Sequence, residues 1–416
     1  MAKASRRFRR AARRRALRGL PRGRVLKALT SSTLALPGLA SHADELGSLG
    51  IEADYKYARY SEDRIPSSKV TPGGERDRYT IDVNQVHLSG PITERFKLDL
   101  DVGYEVMSGA TPWYVVPNPS GGQPLQVMTG ATIDEKRTDG SLKGTMLFDR
   151  GSAALSGGVS VENDYLAFTG GLDGERYFNE KNTTLSGGLG FSIDRIEPTD
   201  AEAFGRNSEE DKQTVSGFLG LSQVLGRETI VQATLQYQFD NGFLSDPYKR
   251  ALVEGVPVPD ARPDMRHQIS LLTRFRHHFE TLRATLHADY RFYVDDWGIN
   301  AHTFEVAWYQ TLWESLRLIP SFRYYTQSAA DFYAPYYEGP RGDNHYSSDY
   351  RLSPYGAISW RIKAETRFQI WSLDWIANVG YEQYMSGGNY AIRGVSVENP
   401  GLVGFDMLSA GLTLRF

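Results

Sequence analysis

Residues 96–106 read Phe96-Lys97-Leu98-Asp99-Leu100-Asp101-Val102-Gly103-Tyr104-Glu105-Val106: every second residue is apolar, and those between are charged or small. A period of two is the period of a pleated strand with two unlike faces. The pattern returns in Leu282, Ala284, Leu286, Ala288, Tyr290, Phe292 and in Val231, Ala233, Leu235, Tyr237, Phe239, again with polar residues in the intervening places. A soluble sandwich or propeller also alternates, so the pattern alone leaves open which medium meets the apolar face.

The connections and the C-terminus decide it. Asp149-Arg150-Gly151, Asn179-Glu180-Lys181-Asn182, Gly226-Arg227, Phe279-Glu280 and Trp313-Glu314-Ser315 are tight links. Long polar, Pro-rich and Gly-rich stretches cover 61–78, 109–130, 196–210, 241–265, 329–348 and 387–402. Short turns on one rim and long loops on the other are the organisation of an outer-membrane barrel, with periplasmic turns and extracellular loops. The chain also ends as a strand, with Leu408, Ala410, Leu412, Leu414 and the terminal Phe416 on one face. Leu412, Leu414 and Phe416 resemble the signal read by the machinery that folds such barrels.

The expected fold is therefore all-β, a transmembrane antiparallel barrel. Its strands are predicted over 48–60, 79–89, 95–108, 131–148, 152–163, 165–178, 182–195, 211–225, 227–240, 266–279, 281–294, 299–312, 315–328, 349–363, 372–386 and 403–416. That gives sixteen; the two faintest pairings, 131–148 with 152–163 and 349–363 with 372–386, leave fourteen or eighteen open. Closure is required, because an open edge in hydrocarbon leaves backbone groups unpaired at several kcal/mol each. Tyr57, Tyr60, Tyr104, Trp113, Trp308, Trp313, Tyr324, Trp360, Trp371, Trp375 and Tyr381 fall near strand ends, as interface girdles do.

Composition agrees. The 416 residues include 41 Gly, which disfavours helix interiors, and 24 Tyr, which favours pleated surfaces. No window supplies the roughly 20 apolar residues of a spanning helix. The absence of cysteine excludes disulfide scaffolds, thiolate metal sites, c-type haem attachment and a cysteine nucleophile. The formal charge of -3 averages two unlike pieces. Residues 1–43 hold twelve of the 47 Lys and Arg and no acid; an Arg-rich start runs into the apolar Val25–Leu39 and then Ser41-His42-Ala43, a small-x-small triplet. This is read as a signal peptide cleaved near Ala43, leaving a mature barrel over 44–416 with a formal charge of about -15.

If the apolar side of each strand meets lipid, the other side lines the lumen. Its acids are predicted early, at Glu52, Asp54, Asp82, Asp99, Asp101 and Glu105. Its cations are predicted late, at Arg274, Arg276, Arg283, Arg291, Arg317 and Arg323, with His278 and His287. Half a turn apart in a sixteen-strand barrel, these walls would set a transverse field that favours charged or dipolar solutes; the alternative is that the charges pair locally. The loop 241–265, with Phe243, Leu244, Val253, Val256 and Val258, either folds inward as a constriction or stands exposed. Loop acids Glu62, Asp63, Glu209, Glu210, Asp211, Asp295, Asp296 and Asp343 lack cation-site spacing and read as solvated surface. No G-x-S-x-G, H-E-x-x-H, phosphate loop or dinucleotide fingerprint occurs, so neither an enzyme nor a cofactor is expected.

Finally, Val159-Ser160-Val161-Glu162-Asn163-Asp164-Tyr165, Asn179-Glu180-Lys181-Asn182-Thr183-Thr184-Leu185, Ser192-Ile193-Asp194-Arg195-Ile196-Glu197-Pro198 and Asp349-Tyr350-Arg351-Leu352-Ser353 resemble the outer-membrane family called domain of unknown function 3570. The Arg-rich leader departs from that family's usual start. The resemblance implies a barrel without a catalytic signature, acting beside a small lipoprotein, a thioredoxin-like protein and a flavin transferase. Two functions are thus expected in competition: a porin-like channel for small polar or charged solutes, or a structural or export partner of an extracytoplasmic redox or lipoprotein system. Lipid, lipopolysaccharide and the assembly machinery are the other expected partners; nucleic acid is not.

Overall fold

The computed structural model describes residues 50–129, 133–202 and 205–416. The predicted leader over 1–43, its cleavage near Ala43 and the opening residues of the first predicted strand lie outside the described residues. Each alternating run forms a strand: β1 (Glu52–Glu62), β2 (Thr80–Thr93), β3 (Phe96–Gly109), β6 (Ile133–Phe148), β7 (Gly151–Val161), β8 (Tyr165–Phe178), β9 (Thr183–Ile196) and β10 (Glu210–Gly226). The series continues with β11 (Thr229–Gly242), β14 (Met265–Phe279), β15 (Ala284–Asp295), β16 (Asn300–Thr311), β17 (Leu316–Gln327), β18 (Tyr355–Ile370), β19 (Leu373–Gly387) and β20 (Gly404–Arg415). These sixteen pair antiparallel, neighbour to neighbour, into a closed barrel. Two hairpins that sequence reading folded into polar loops, β4 (Pro112–Val116) with β5 (Leu125–Met128) and β12 (Arg250–Val253) with β13 (Val256–Pro259), stand apart from it.

Closure joins the chain's ends. β1 pairs β20 from Glu52 opposite Arg415 to Glu62 opposite Phe405, and Ile51 and Phe416 exchange backbone hydrogen bonds of 3.0 and 3.1 Å. The start of β1 and the end of β20 meet at the rim of short turns, and with the ring closed every strand is paired on two sides, as a hydrocarbon setting demands.

Burial follows the pleat. On β3, Leu100, Val102 and Tyr104 are exposed, and so are Leu172, Leu189, Leu219, Phe322 and Leu408 on other strands. An apolar outer belt of this kind meets lipid tails rather than water. Leu412 and Phe416 are exposed on that same outward face, and Leu414 shares their parity. Trp313 and Trp371 stand at the turn rim, Trp371 being 88% exposed. Two aromatics assigned to the girdles belong elsewhere: Tyr60 points inward and packs with Tyr79, Ile81 and Met107, and Trp113 sits on β4 in a loop hairpin.

Two strands, β18 and β15, differ at their ends from the sequence reading for local reasons. Tyr350–Leu352 form a 3-10 turn started by the Asp349 side chain accepting from the Arg351 backbone N–H, so β18 begins at Tyr355. It then runs to Ile370, because Ala364, Thr366, Phe368 and Ile370 keep the outward alternation, and the chain reverses over Trp371 and Ser372 with φ of 52° and 64°. At the start of β15, Glu280–Leu282 form a 3-10 turn that ends on Arg283 in the left-handed region (φ 48°).

Candidate functional site

Strand parity sorts the charged residues. Glu52 and Asp54 share a face of β1 that is opposite to exposed Tyr55, and Asp99, Asp101 and Glu105 oppose Leu100, Val102 and Tyr104 on β3; all five face the lumen. Asp82 does not. It shares its face of β2 with exposed Val86 and Leu88, and pairs outside the barrel with Arg59 at 3.3 Å. The phase of the apolar residues changes along β2: Ile81 and Val83 point inward to the Tyr60 cluster, while Val86 and Leu88 point to lipid. On the basic side, Arg274, Arg276, Arg291, Arg317 and Arg323 oppose outward Phe275, Phe292 and Phe322, so they point inward, as do His278 and His287. Arg283 lies in the exposed turn below β15 and belongs to neither face.

The inner faces of β1, β2, β3 and β6 carry Glu52, Asp54, Glu62, Asp99, Asp101, Glu105, Glu135 and Asp139 against Lys56, Lys97, Arg137 and Lys143. Those of β14 to β18 carry Arg266, Arg274, Arg276, Arg291, Arg317, Arg323, Arg361, Lys363 and Arg367 against Asp289, Asp295, Glu305 and Glu365. In the closed order β3 and β15 stand half a turn apart. Local pairing is present as well: His87 bonds Asp101 at 2.8 Å, Lys143 bonds Asp173 at 3.0 Å and Arg415 bonds Glu52 at 2.7 Å. It does not cancel the excess. Asp289 serves Arg274 and Arg276; Glu305 serves Arg323 (2.8 Å) and Arg361 (3.7 Å); Glu365 serves Arg317 (3.5 Å), Lys363 and Arg367 (both 3.8 Å).

Above these walls the long loops interlock. The connection between β11 and β14 folds inward: Tyr248, Lys249, Ala251 and Leu252 are buried, while its tip at Glu254, Gly255 and Val256 is exposed. Lys249 donates to the Pro112 carbonyl at 3.3 Å, in a loop on the far side of the barrel. Tyr248 donates to Asp164 beside β8. The hub is Asp349, fully buried, which pairs with Arg351, with Arg262 at 2.8 Å and with Lys249 at 3.7 Å; Arg351 reaches on to Asp246 at 2.8 Å. Burial alone would raise the Asp349 carboxyl, but Arg351, Lys249 and Arg262 outweigh it and hold the group well below the carboxylate range. Burial pulls the Lys249 ammonium down and pushes the Tyr350 phenol up to about 12, with Lys249 and Arg78 over its ring at 5.3 and 5.6 Å. Lys69 donating to Glu398 (2.5 Å) and the Asn399 amide donating to the Tyr333 hydroxyl (2.9 Å) tie in the last loop. Its backbone lies so close to β18 that a side chain at Gly356 would collide with the Tyr390 carbonyl. These loops form a cap across the mouth.

Two loop acids expected to be solvated are instead buried in ion pairs, Glu62 with Arg78 at 2.5 Å and Asp295 with Arg266 at 2.5 Å, whereas Asp343 and Glu209 pair with Arg341 at 2.8 Å and Arg195 at 3.0 Å and stay exposed. Among the described residues one group of three carboxylates, Glu135, Glu162 and Asp164, has ligand atoms within 4.8 Å of one another. Arg137 lies 3.9 Å from Glu162, so a cation already balances that corner.

The family described as Protein of unknown function (DUF3570) matches residues 26–400. The chain belongs to that family. The search of curated proteins found no match. Among solved structures the chain is similar to a bacterial polysaccharide outer membrane secretin, at 9% identity and TM-score 0.45 over 88% of this chain and 97% of that one. It is similar also to the siderophore receptor PirA from Pseudomonas aeruginosa (10% identity, TM-score 0.44, 86% of this chain and 61% of that one). The outer membrane protein opdK from Pseudomonas aeruginosa gives 10% identity and TM-score 0.41 over 88% and 99% of the two chains.

Proposed function

We propose that this DUF3570 chain is a porin-like channel in the outer membrane of a Gram-negative bacterium, passing small polar or charged solutes between an acidic and a basic wall. The observation that supports it is the opposed charge excess of the inner faces, centred on Asp99 and Asp101 of β3 and on Arg291 of β15. Charges of opposite sign across a low-dielectric-walled bore orient dipolar solutes and disfavour apolar ones. A sixteen-strand barrel is wide enough for an aqueous path. The cap over Asp349 then acts as a gate. In this reading the leader is cut near Ala43, and Leu412, Leu414 and Phe416 engage the assembly machinery. Lipid and lipopolysaccharide surround the belt, and no enzymatic step, cofactor or nucleic acid takes part. Purified protein in planar bilayers tests it: discrete conductance steps are expected, and a silent membrane at high protein load removes the channel reading.

The cap also favours a second reading. A mouth crossed by ion-paired loops suits a barrel that serves a periplasmic partner, such as a lipoprotein or a thioredoxin-like protein, and opens only with it. Without cysteine the chain would borrow any redox group. Cross-linking in native membranes that recovers no periplasmic partner, with conductance intact, removes that alternative.

A further inference from the structure

The seven cations Arg274, Arg276, Arg317, Arg323, Arg361, Lys363 and Arg367 share three carboxylates, and one cation of the basic wall is left over. Arg291 makes no side-chain hydrogen bond and no ion pair among the described residues. It is half-buried on the lumen face of β15, four residues below the loop rim at Asp295. Directly opposite on β16 stands Thr303, whose hydroxyl also has no side-chain partner among the described residues. Arg274 and Arg323 are within electrostatic reach of Arg291, and the nearby acids Asp289 and Glu305 are already held by other arginines.

No nitrogen of Arg291 is among the buried unpaired atoms, so its guanidinium is open to the lumen and free to exchange water for a polar solute. Two further arginines behind it make a cationic ligand unfavourable. The guanidinium fork matches two oxygens of a carboxylate or phosphate at once, and a neighbouring hydroxyl supplies a further donor. We propose that Arg291 and Thr303, backed by Arg274 and Arg323, form a binding subsite for a small oxyanion, a carboxylate or a phosphate, in the lumen beneath the cap. The subsite names the solute class of the proposed channel and rests on that reading for its access route. Its occupancy is measured separately from conduction.

The test titrates the purified full chain in detergent with inorganic phosphate and, in a parallel arm, with succinate, by calorimetry. The same proteins are assayed for conductance in bilayers. Saturable binding of at least one probe is expected. Losing a charged hydrogen bond should weaken it about tenfold or more in Arg291→Gln. Arg291→Lys keeps the charge and loses the fork, so binding should fall by a smaller factor. It also carries the test if the glutamine variant does not show the heat-dependent gel shift of a folded barrel. Phosphate alone binding, or succinate alone, supports the subsite and tells the two oxyanions apart. Absence of binding for both probes, or equal binding by wild type and both variants, overturns it even when conductance is normal. Binding without conductance keeps the subsite and removes the channel.

Discussion

Asp349 shows what a single residue does in this fold. Its fully buried carboxylate is the shared acceptor of Lys249, Arg262 and Arg351, and removing one member of a buried ion cluster costs about 3–5 kcal/mol because the others stay buried without it. Asp349→Asn should therefore loosen the cap while the barrel, whose strands it does not touch, stays folded. Limited proteolysis should cut within 243–264 or 328–354 many times faster, with the heat-dependent gel shift unchanged. The pH dependence has a definite sign. Because the folded carboxyl is held below its ordinary value, its contribution is complete above about pH 4 and fades only as pH falls below that. Cap protection should be flat from pH 7 to 5 and lost in stronger acid, and Asp349→Asn should shrink that acid step to the part carried by Glu398, whose carboxyl, despite partial burial, Lys69 also holds low. None of this was legible in the sequence. Asp349 appeared there only within a family-like stretch; its partner Arg262 lies 87 residues away, and Asp246, which Arg351 reaches, lies 105 residues from that arginine.

At the scale of elements the alternation was readable strand by strand, because a lipid-facing side repeats every second residue whatever its neighbours do. It failed where a strand serves two apolar environments. On β2 the inward Ile81 and Val83 pack under the cap and the outward Val86 and Leu88 meet lipid, so the apolar phase inverts and Asp82 was placed on the wrong face. Arg283 was lost for another reason: one left-handed residue closes the turn before β15. Arg283→Gly should leave ion selectivity unchanged and raise stability by about 1 kcal/mol, since glycine takes that conformation without the side-chain clash; a shifted reversal potential in bilayers would put Arg283 back in the conduction path. The small hairpins β4–β5 and β12–β13 were hidden inside Pro-rich and Gly-rich stretches that carry too few alternating residues to register. For β20 the expectation is sharper. Deleting 412–416 strips pairing partners from Glu52 to Tyr55 of β1 and from Asp374 to Ala377 of β19, and two edges open in hydrocarbon. The truncated chain should accumulate unfolded, without a heat-dependent gel shift; a normal shift would show that closure does not need these residues.

For the whole molecule, sixteen strands, closure and the alternation of short and long links followed from the sequence, since each depends on local pattern and on the rule that no backbone group stays unpaired in lipid. The gross placement of acids early and cations late also followed, because the register winds the chain once around the barrel. The cap did not, because it is built from loop contacts across the bore that no periodicity encodes. The function proposed here joins these two parts, a charged bore and a gate over it. Its central claim is tested by recording single-channel currents from wild type and Asp349→Asn under the same salt gradient. Discrete steps are expected from wild type and larger or longer-lived steps from Asp349→Asn, with the same sign of reversal potential. Silence from both proteins, or identical steps from both, would contradict it.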